Sequence, residues 1–200
     1  MDKIPKEVSN TFIAASFIST LVCLGVYTGG INSNLIFSDQ NVCLLYVENY
    51  HKNDNANAWV FDAYSPSCSL TTTAGYCGML LLFVLAGVKG FYAYRREEAS
   101  RNVHFSLGAM CTIWTAVSVV MAAILTAGVN QTCDQFIKSG KTCGTVFAEG
   151  FFANDVSKIH NKSINSIDAS IVSSWMLVFT WASYAAYEFY CYKHSSLRWW

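Results

Sequence analysis

The most constraining feature of this sequence is a long uncharged stretch in its middle. Residues 105–129 read FSLGAMCTIWTAVSVVMAAILTAGV and contain no Asp, Glu, Lys or Arg. About 20 helical residues cross the hydrocarbon core of a bilayer, so this run predicts a membrane-spanning helix over residues ~104–129. For one such run, a buried helix of a soluble protein is the alternative interpretation.

Three further stretches of the same kind accompany it, at residues ~11–30, ~69–94 and ~169–192. Lys89 and Glu188 are the charged residues within them. Over the whole chain 53% of residues are hydrophobic and 13% are charged, which is about half the charged fraction of soluble domains. The pattern predicts an all-α membrane protein with a single domain over residues 1–200, a four-helix transmembrane bundle rather than a β-barrel.

The first stretch needs comparison with a secretory signal peptide, because Lys3 and Lys6 precede it. It is longer than the apolar core of a typical signal peptide, and VYTGG at residues 26–30 offers no A-x-A-like cleavage site. We therefore expect this stretch to be an uncleaved membrane span.

The distribution of basic residues predicts the orientation. Four spans put both termini on one side of the membrane, together with the short segment 94–102. That side holds eight of the thirteen basic residues, namely Lys3, Lys6, Lys89, Arg95, Arg96, Arg101, Lys193 and Arg198. Because positive residues in short loops stay cytoplasmic, we expect cytosolic termini. Two long loops, residues ~31–68 and ~130–168, then face the outside or a lumen.

Four of the eight cysteines fall in these two loops, which is typical of a disulfide framework on the oxidising side. Three pairings are open, and we favour Cys43–Cys68 with Cys133–Cys143 because each bridge then closes within its own loop. The interval between Cys133 and Cys143 is wider than the C-x₂₋₄-C spacing of zinc ligands. It also differs from the C-x-x-C spacing of a redox motif. Gly140 would let this short segment reverse direction.

The second loop also holds the chain's two N-x-[ST] sequons, at Asn130 and Asn161. Such sequons mark glycosylation sites in loops that enter the secretory pathway. Asn161 is the better candidate, because Asn130 lies close to the predicted membrane. No motif indicates a metal ion or another cofactor.

Charged and reactive groups near the cytosolic ends of the spans allow more than one interpretation. Lys89 and Glu188 lie at similar depth, so each could reach the interface separately by snorkelling, or the two could form an ion pair between the second and fourth spans. Neither is at mid-membrane, and no span is interrupted by proline, which disfavours a stand-alone transporter or channel. Cys191 is a candidate palmitoylation site or a plain juxtamembrane cysteine.

Small residues recur four apart in every span, a spacing that lets helix backbones approach closely. We interpret these pairs as packing contacts within the bundle, with contacts to a partner protein as the alternative. The pairs are Gly25 and Gly29, Ala74 and Gly78, Ala86 and Gly90, Ala123 and Ala127, and Ala182 and Ala186.

The first long loop contains a polar segment, HKNDNANAW at residues 51–59, between CLLYVENY and WVFDAY. The alternation of the flanks predicts short β-strands joined by a turn. Aromatic side chains in this loop are candidates to pack on the helix ends or to contact a partner. They are Tyr46, Tyr50, Trp59, Phe61 and Tyr64.

Several short motifs resemble those of the transmembrane protein 179 family. They are VCLLYVE at residues 42–48, Cys68-Ser69 at the start of the second span, and TCDQF at residues 132–136. The aromatic, alanine-rich fourth span is similar too, with Trp175, Trp181, Tyr190 and Lys193. The resemblance implies a four-span topology and gives no catalytic or binding residue. Claudin-like tetraspans are a more distant comparison, since their G-L-W motif is absent.

The predicted function follows mainly by elimination. Short cytosolic segments leave no room for an enzyme's cleft, and no catalytic constellation appears. We therefore expect a non-enzymatic accessory subunit, which docks beside an ion channel or receptor of the plasma membrane. Its partners would be that larger polytopic protein and membrane lipid, not nucleic acid or a small-molecule substrate. A claudin-like adhesion tetraspan and a homo-oligomeric pore are the alternatives.

Overall fold

Four long helices dominate the structure. The computed structural model describes residues 6–37, 42–53, 58–62, 66–95, 99–138, 140, 142–149, 151–153, 157–159 and 164–194. The helices are α1 (Lys6–Asn34), α2 (Ser67–Arg95), α3 (Arg101–Lys138), α4 (Cys143–Glu149) and α5 (Ile164–His194). All of these except the short α4 are long and apolar enough to cross a membrane. The predicted four-span membrane protein is confirmed at this level.

The long helices form an antiparallel bundle in which α5 makes the most extensive contacts with the other helices. Successive neighbours around the bundle are α1, α2, α3 and α5, and α5 packs mainly on α3 and α1. The start of α1 lies beside the end of α5, where the rings of Phe12 and Tyr187 are in contact. The first half of α3 lies beside the second half of α5, where the rings of Trp114 and Trp181 are in contact. We call the end that carries the two long loops the loop end, and the opposite end the terminal end.

The helix ends carry recognisable capping groups. The carbonyl of Ser100 accepts the first N–H groups of α3, from Val103 and His104. At α4, the hydroxyl of Thr142 accepts a hydrogen bond from the N–H of Thr145, which is the contact expected of an N-cap threonine.

The third helix corrects the predicted boundary between span and loop. Sequence patterning ended the span near residue 129, whereas α3 continues to Lys138. Leu125, Val129, Thr132 and Phe136 are all buried, at intervals of four, three and four residues. This spacing keeps one face of the helix against the protein. The helix therefore continues because its buried face continues, although its other faces have become polar.

Both predicted disulfides are present. Cys43 joins Cys68 at a Cα–Cα distance of 5.9 Å, and Cys133 joins Cys143 at 5.0 Å. The second bridge links the last turns of α3 to the first residue of α4, so it joins two helices directly. Gly140 reverses the chain between them with φ +81°, and its N–H donates to the carbonyl of Ile137. Glycine adopts this left-handed conformation at no steric cost.

Short strands join the two long loops at the loop end. They are β1 (Ile36–Phe37), β2 (Val42–Cys43), β3 (Glu48–Asn53), β4 (Ala58–Asp62), β5 (Phe151–Ala153) and β6 (Ser157–Ile159). β1 pairs with β2, and the other four strands form a sheet in the order β3–β4–β5–β6. β4 of the first loop pairs parallel with β5 of the second.

The helices approach one another closely at glycines. Most of these glycines are not the ones predicted to form packing contacts. A Cβ added to Gly75 of α2 would collide with Thr28 and Tyr27 of α1, and one added to Gly30 would collide with Ser170. Gly78 was predicted correctly, since an added Cβ would lie 3.1 Å from Leu24.

The other predicted pairs do not pack inside the bundle. Their members are mostly exposed, and an added Cβ at three of the glycines meets no atom within 4 Å. These glycines are Gly25, Gly29 and Gly90, and the exposed alanines are Ala123, Ala127, Ala182 and Ala186. Because these helices are apolar on all sides, their composition did not indicate which face is buried.

Two glycine substitutions on neighbouring helices test this packing. We expect Gly75→Ala to destabilise the bundle by about 1–3 kcal/mol, because overpacking forces side chains or backbones to shift. Gly25→Ala should be neutral or stabilising by up to about 1 kcal/mol, because alanine favours the helix. Unfolding of each variant in mixed detergent and SDS micelles measures the difference. Equal stabilities would contradict the close approach at Gly75.

Candidate functional site

A buried carboxylate joins three helices at the terminal end. Glu188 of α5 is 1% exposed. Its Oε1 forms an ion pair with Nζ of Lys89 on α2, and its Oε2 lies 2.7 Å from Nδ1 of His104 on α3. Each carboxylate oxygen therefore has one nitrogen partner. We call these three residues the charge cluster.

The surroundings of the charge cluster are aromatic and tightly packed. The ammonium of Lys89 also lies 5.4 Å from the ring centre of Tyr187, a distance at which a cation is attracted to an aromatic face. Gly108 lies one turn beyond His104, and a Cβ added there would be 3.4 Å from Cβ of Glu188. The absence of a side chain at Gly108 thus lets the Glu188 turn of α5 come close to α3.

The structure decides between the two interpretations of Lys89 and Glu188, because it shows an ion pair. Sequence analysis missed His104, which lies just before the uncharged run. A signal was present: His104, Leu107, Gly108 and Cys111 recur at intervals of three, one and three residues, and the last three are buried. This periodicity places His104 on the protein-facing side of α3.

Chemically, the charge cluster is suited to holding helices together. A carboxylate in an apolar interior is stable only when opposite charges and hydrogen bonds compensate for lost water. Lys89 supplies the opposite charge from α2, and His104 contacts the other carboxylate oxygen from α3. In the described ranges, no group of three or more His, Cys, Asp or Glu side chains has a geometry that could hold a metal ion.

A second constellation lies at the loop end, where residues 43–47 enter the bundle. Cys43, Leu44, Leu45 and Val47 are all buried. We call this segment the plug. The Cys43–Cys68 disulfide ties it to the first turn of α2, and the N–H of Leu44 donates to the carbonyl of Leu35 just beyond α1.

Tyr46 and Thr132 fix the plug to α3. The hydroxyl of Tyr46 donates to the carbonyl of Ile124 at 3.1 Å, and its N–H donates to the carbonyl of Gly128. The hydroxyl of Thr132 lies between two plug groups, donating to the carbonyl of Leu44 at 2.8 Å and accepting from the N–H of Val47. These contacts accompany φ +58° at Tyr46, a conformation that is uncommon for residues other than glycine.

Tyr46 therefore packs on the end of α3, which is one of its two predicted interpretations. Its contact with a partner stays a prediction. Tyr50 lies in β3, and Trp59 and Phe61 lie in β4. Their contact with a partner stays a prediction. Tyr64 lies outside the described residues.

The remaining predicted sites are placed as follows. Asn130 is exposed on α3, but Thr132 of its sequon is 1% exposed. Asn161 falls outside the described residues. Cys191 is half-buried near the end of α5, which leaves both interpretations of this residue open.

Comparisons with protein-family models, with curated proteins and with solved structures found no match to this chain.

The charge cluster generates a testable prediction about stability. Removing one partner of a buried ion pair typically costs 3–5 kcal/mol. Because Lys89 keeps 19% of its side-chain exposure, we expect Lys89→Met to cost roughly 2–3 kcal/mol. Unfolding in mixed detergent and SDS micelles measures this loss.

The double variant Lys89→Met with Glu188→Met is the control. It removes both charges, so it should be more stable than Lys89→Met alone. A double variant as unstable as the sum of the two single variants would show that the pair is not coupled.

Proposed function

We propose that this chain is a non-enzymatic accessory subunit that docks beside a larger channel or receptor in the membrane and modulates its gating, assembly or trafficking. The observation that carries the proposal is an exposed face of α1. Ala15, Ile18, Val22, Gly25 and Gly29 are all exposed. Their spacing of three, four, three and four residues places them on one side of the helix.

The two glycines of this face are not needed by the bundle itself. An added Cβ at either would meet no atom within 4 Å, although glycine within a helix costs about 0.5–1 kcal/mol relative to alanine. A Gly-x-x-x-Gly spacing lets a second membrane helix approach closely, and that approach stabilises helix pairs in lipid. Docking of a partner helix gives Gly25 and Gly29 a physical role.

The loop end supports a second contact region. β3 lies at one edge of the four-stranded sheet in the described part of the chain. An edge strand presents backbone groups that can pair with another chain. Tyr50 in β3 and Trp59 in β4 are the aromatic candidates for this contact.

The interior of the bundle gives no support to conduction by a single copy. At its centre, Trp114, Ser118, Ser174 and Trp181 line a cavity of about 20 Å³. A cavity of this size holds about one water molecule. An association of several copies would be needed for a pore.

We further propose that the protein reaches the plasma membrane through the secretory pathway. Its loop end would then face the lumen or the outside, and both termini would be cytosolic. Two observations support this orientation. Both disulfides lie at the loop end, and among the described residues more basic residues belong to the terminal end (Lys6, Lys89, Arg95, Arg101 and Lys193) than to the loop end (Lys52, Lys138 and Lys158). Disulfides persist in oxidising compartments, and positive residues remain cytosolic.

Glycosylation tests the orientation. We expect Asn161→Gln to abolish a glycosidase-sensitive mobility shift in protein made by secretory-pathway cells. Asn130→Gln should leave the shift unchanged, because the hydroxyl of Thr132 is engaged with the plug. Suppose that the wild-type chain shows no shift and that both termini are protected from protease added to sealed microsomes. That result would reverse the proposed orientation.

Copurification tests the docking proposal. After mild-detergent purification through this chain, we expect one larger polytopic membrane protein to coelute at fixed stoichiometry. Leucine at both Gly25 and Gly29 should reduce its recovery about tenfold or more, which corresponds to a loss of 1.4 kcal/mol or more in binding free energy. Size-exclusion chromatography with mass spectrometry measures recovery and stoichiometry.

Gly90→Leu is the matched control, because Gly90 is also an exposed helix glycine with no atom within 4 Å of an added Cβ. It should leave recovery unchanged. A monodisperse particle built of this chain alone would rule out the accessory role. If Gly25→Leu then dissociated that particle, α1 would be a contact between copies.

A further inference from the structure

A groove separates α2 from α3 at the terminal end of the bundle. Its volume is about 540 Å³. The lining is mostly apolar and comes from the last turns of α2 and the first turns of α3. It consists of Gly87, Val88, Phe91, Tyr92, Asn102, Val103, Ser106 and Leu107.

The groove exists because α3 packs closely on α5 and only sparsely on α2. Two of its lining residues are small and exposed: Gly87, where an added Cβ would meet no atom within 4 Å, and Ser106. Gly87 and the following turns of α2 belong to a helix long and apolar enough to cross the membrane, so the groove opens towards hydrocarbon.

Positive charge lies at the mouth of the groove. The guanidinium of Arg95 lies 4.8 Å from the ring centre of Phe91, which is one wall of the groove. Arg101 begins α3 one residue before Asn102, but its guanidinium lies 4.4 Å from the ring centre of Tyr192 on α5 and is not part of the groove lining. Within the described residues, neither arginine has an acidic partner, and Nε of Arg101 is buried without a hydrogen bond.

We propose that this groove binds one acyl chain of an anionic phospholipid, whose phosphate is held by Arg95. The combination of an apolar channel with a basic mouth matches a molecule that is apolar along its length and negatively charged at one end. Guanidinium groups bind phosphate oxygens through paired hydrogen bonds. Basic pockets between membrane helices bind anionic headgroups for the same reason.

Lipid retention tests the proposal on the full chain. The purified protein is reconstituted in bilayers of equal phosphatidylcholine and phosphatidylserine, extracted in mild detergent and analysed by native mass spectrometry. We expect one phosphatidylserine to be retained per chain. Gly87→Leu, or Ser106→Leu as a second groove-filling variant, should reduce its retention about tenfold.

Arg95→Gln separates the headgroup contact from the acyl contact. It should leave one lipid bound but reduce the preference for phosphatidylserine about fivefold. Gly90→Leu, on the same helix but outside the groove lining, should match the wild-type chain.

Unchanged retention in both groove-filling variants would overturn the acyl site. Equal retention of the two lipids by the wild-type chain would overturn the anionic specificity. The readout needs no partner protein, so its outcome is independent of the proposed accessory role.

Discussion

The hydrocarbon core of a membrane offers no hydrogen bonds, and the structure of this chain depends on that constraint. A polar group in the spans is costly unless it is satisfied within the protein or reaches an interface. The threonines show the local solution, because seven of those in the described residues donate their hydroxyl to the carbonyl four residues earlier. They are Thr20, Thr28, Thr71, Thr112, Thr115, Thr126 and Thr132. Each hydroxyl thus has an acceptor within its own helix.

Glu188 cannot be satisfied in this way, since a carboxylate accepts hydrogen bonds and the carbonyls of its own helix donate none. The carboxylate recruits Lys89 and His104 from two other helices and so fixes three helices at one end. The plug does the same at the other end by different means: a covalent bond to α2, and hydrogen bonds to α3 and to the residue just beyond α1. Between these two ties the helices are held by van der Waals packing and by a few side-chain hydrogen bonds, such as that from the hydroxyl of Tyr27 to the carbonyl of Thr71. Glycines such as Gly75 allow that packing to be close.

Sequence patterning predicts the number of spans and the disulfides well, because both depend on quantities that can be read along the chain. Span length follows from the bilayer thickness, and local disulfides follow from which loop holds each cysteine. Helix rotation is different. Helices that are apolar on every side carry little periodic signal, so the buried face could not be assigned, and of the small-residue pairs only the one with Gly78 was placed correctly. His104 lay just before the uncharged run and was overlooked.

The loop end was harder to predict for another reason. The parallel pairing of β4 with β5 joins segments separated by about half of the chain, with two membrane helices between them. No local pattern indicates such a pairing. Likewise, the extension of α3 to Lys138 depends on burial of Thr132 and Phe136 against the rest of the protein. Both features follow from tertiary contacts rather than from propensity.

The pairing of the cysteines also has a consequence for biosynthesis. Each bridge joins cysteines that are close along the chain, 25 and 10 positions apart, so neither has to wait for the other half of the chain. The hairpin of α1 and α2 can close its disulfide while α3 is still being synthesised, and it then presents a plug already tied to α2. The Cys133–Cys143 bridge closes only the turn from α3 to α4, so α5 docks on α3 and α1 afterwards. The chain order of the cysteines thus spares the two disulfides the long-range search that usually slows folding.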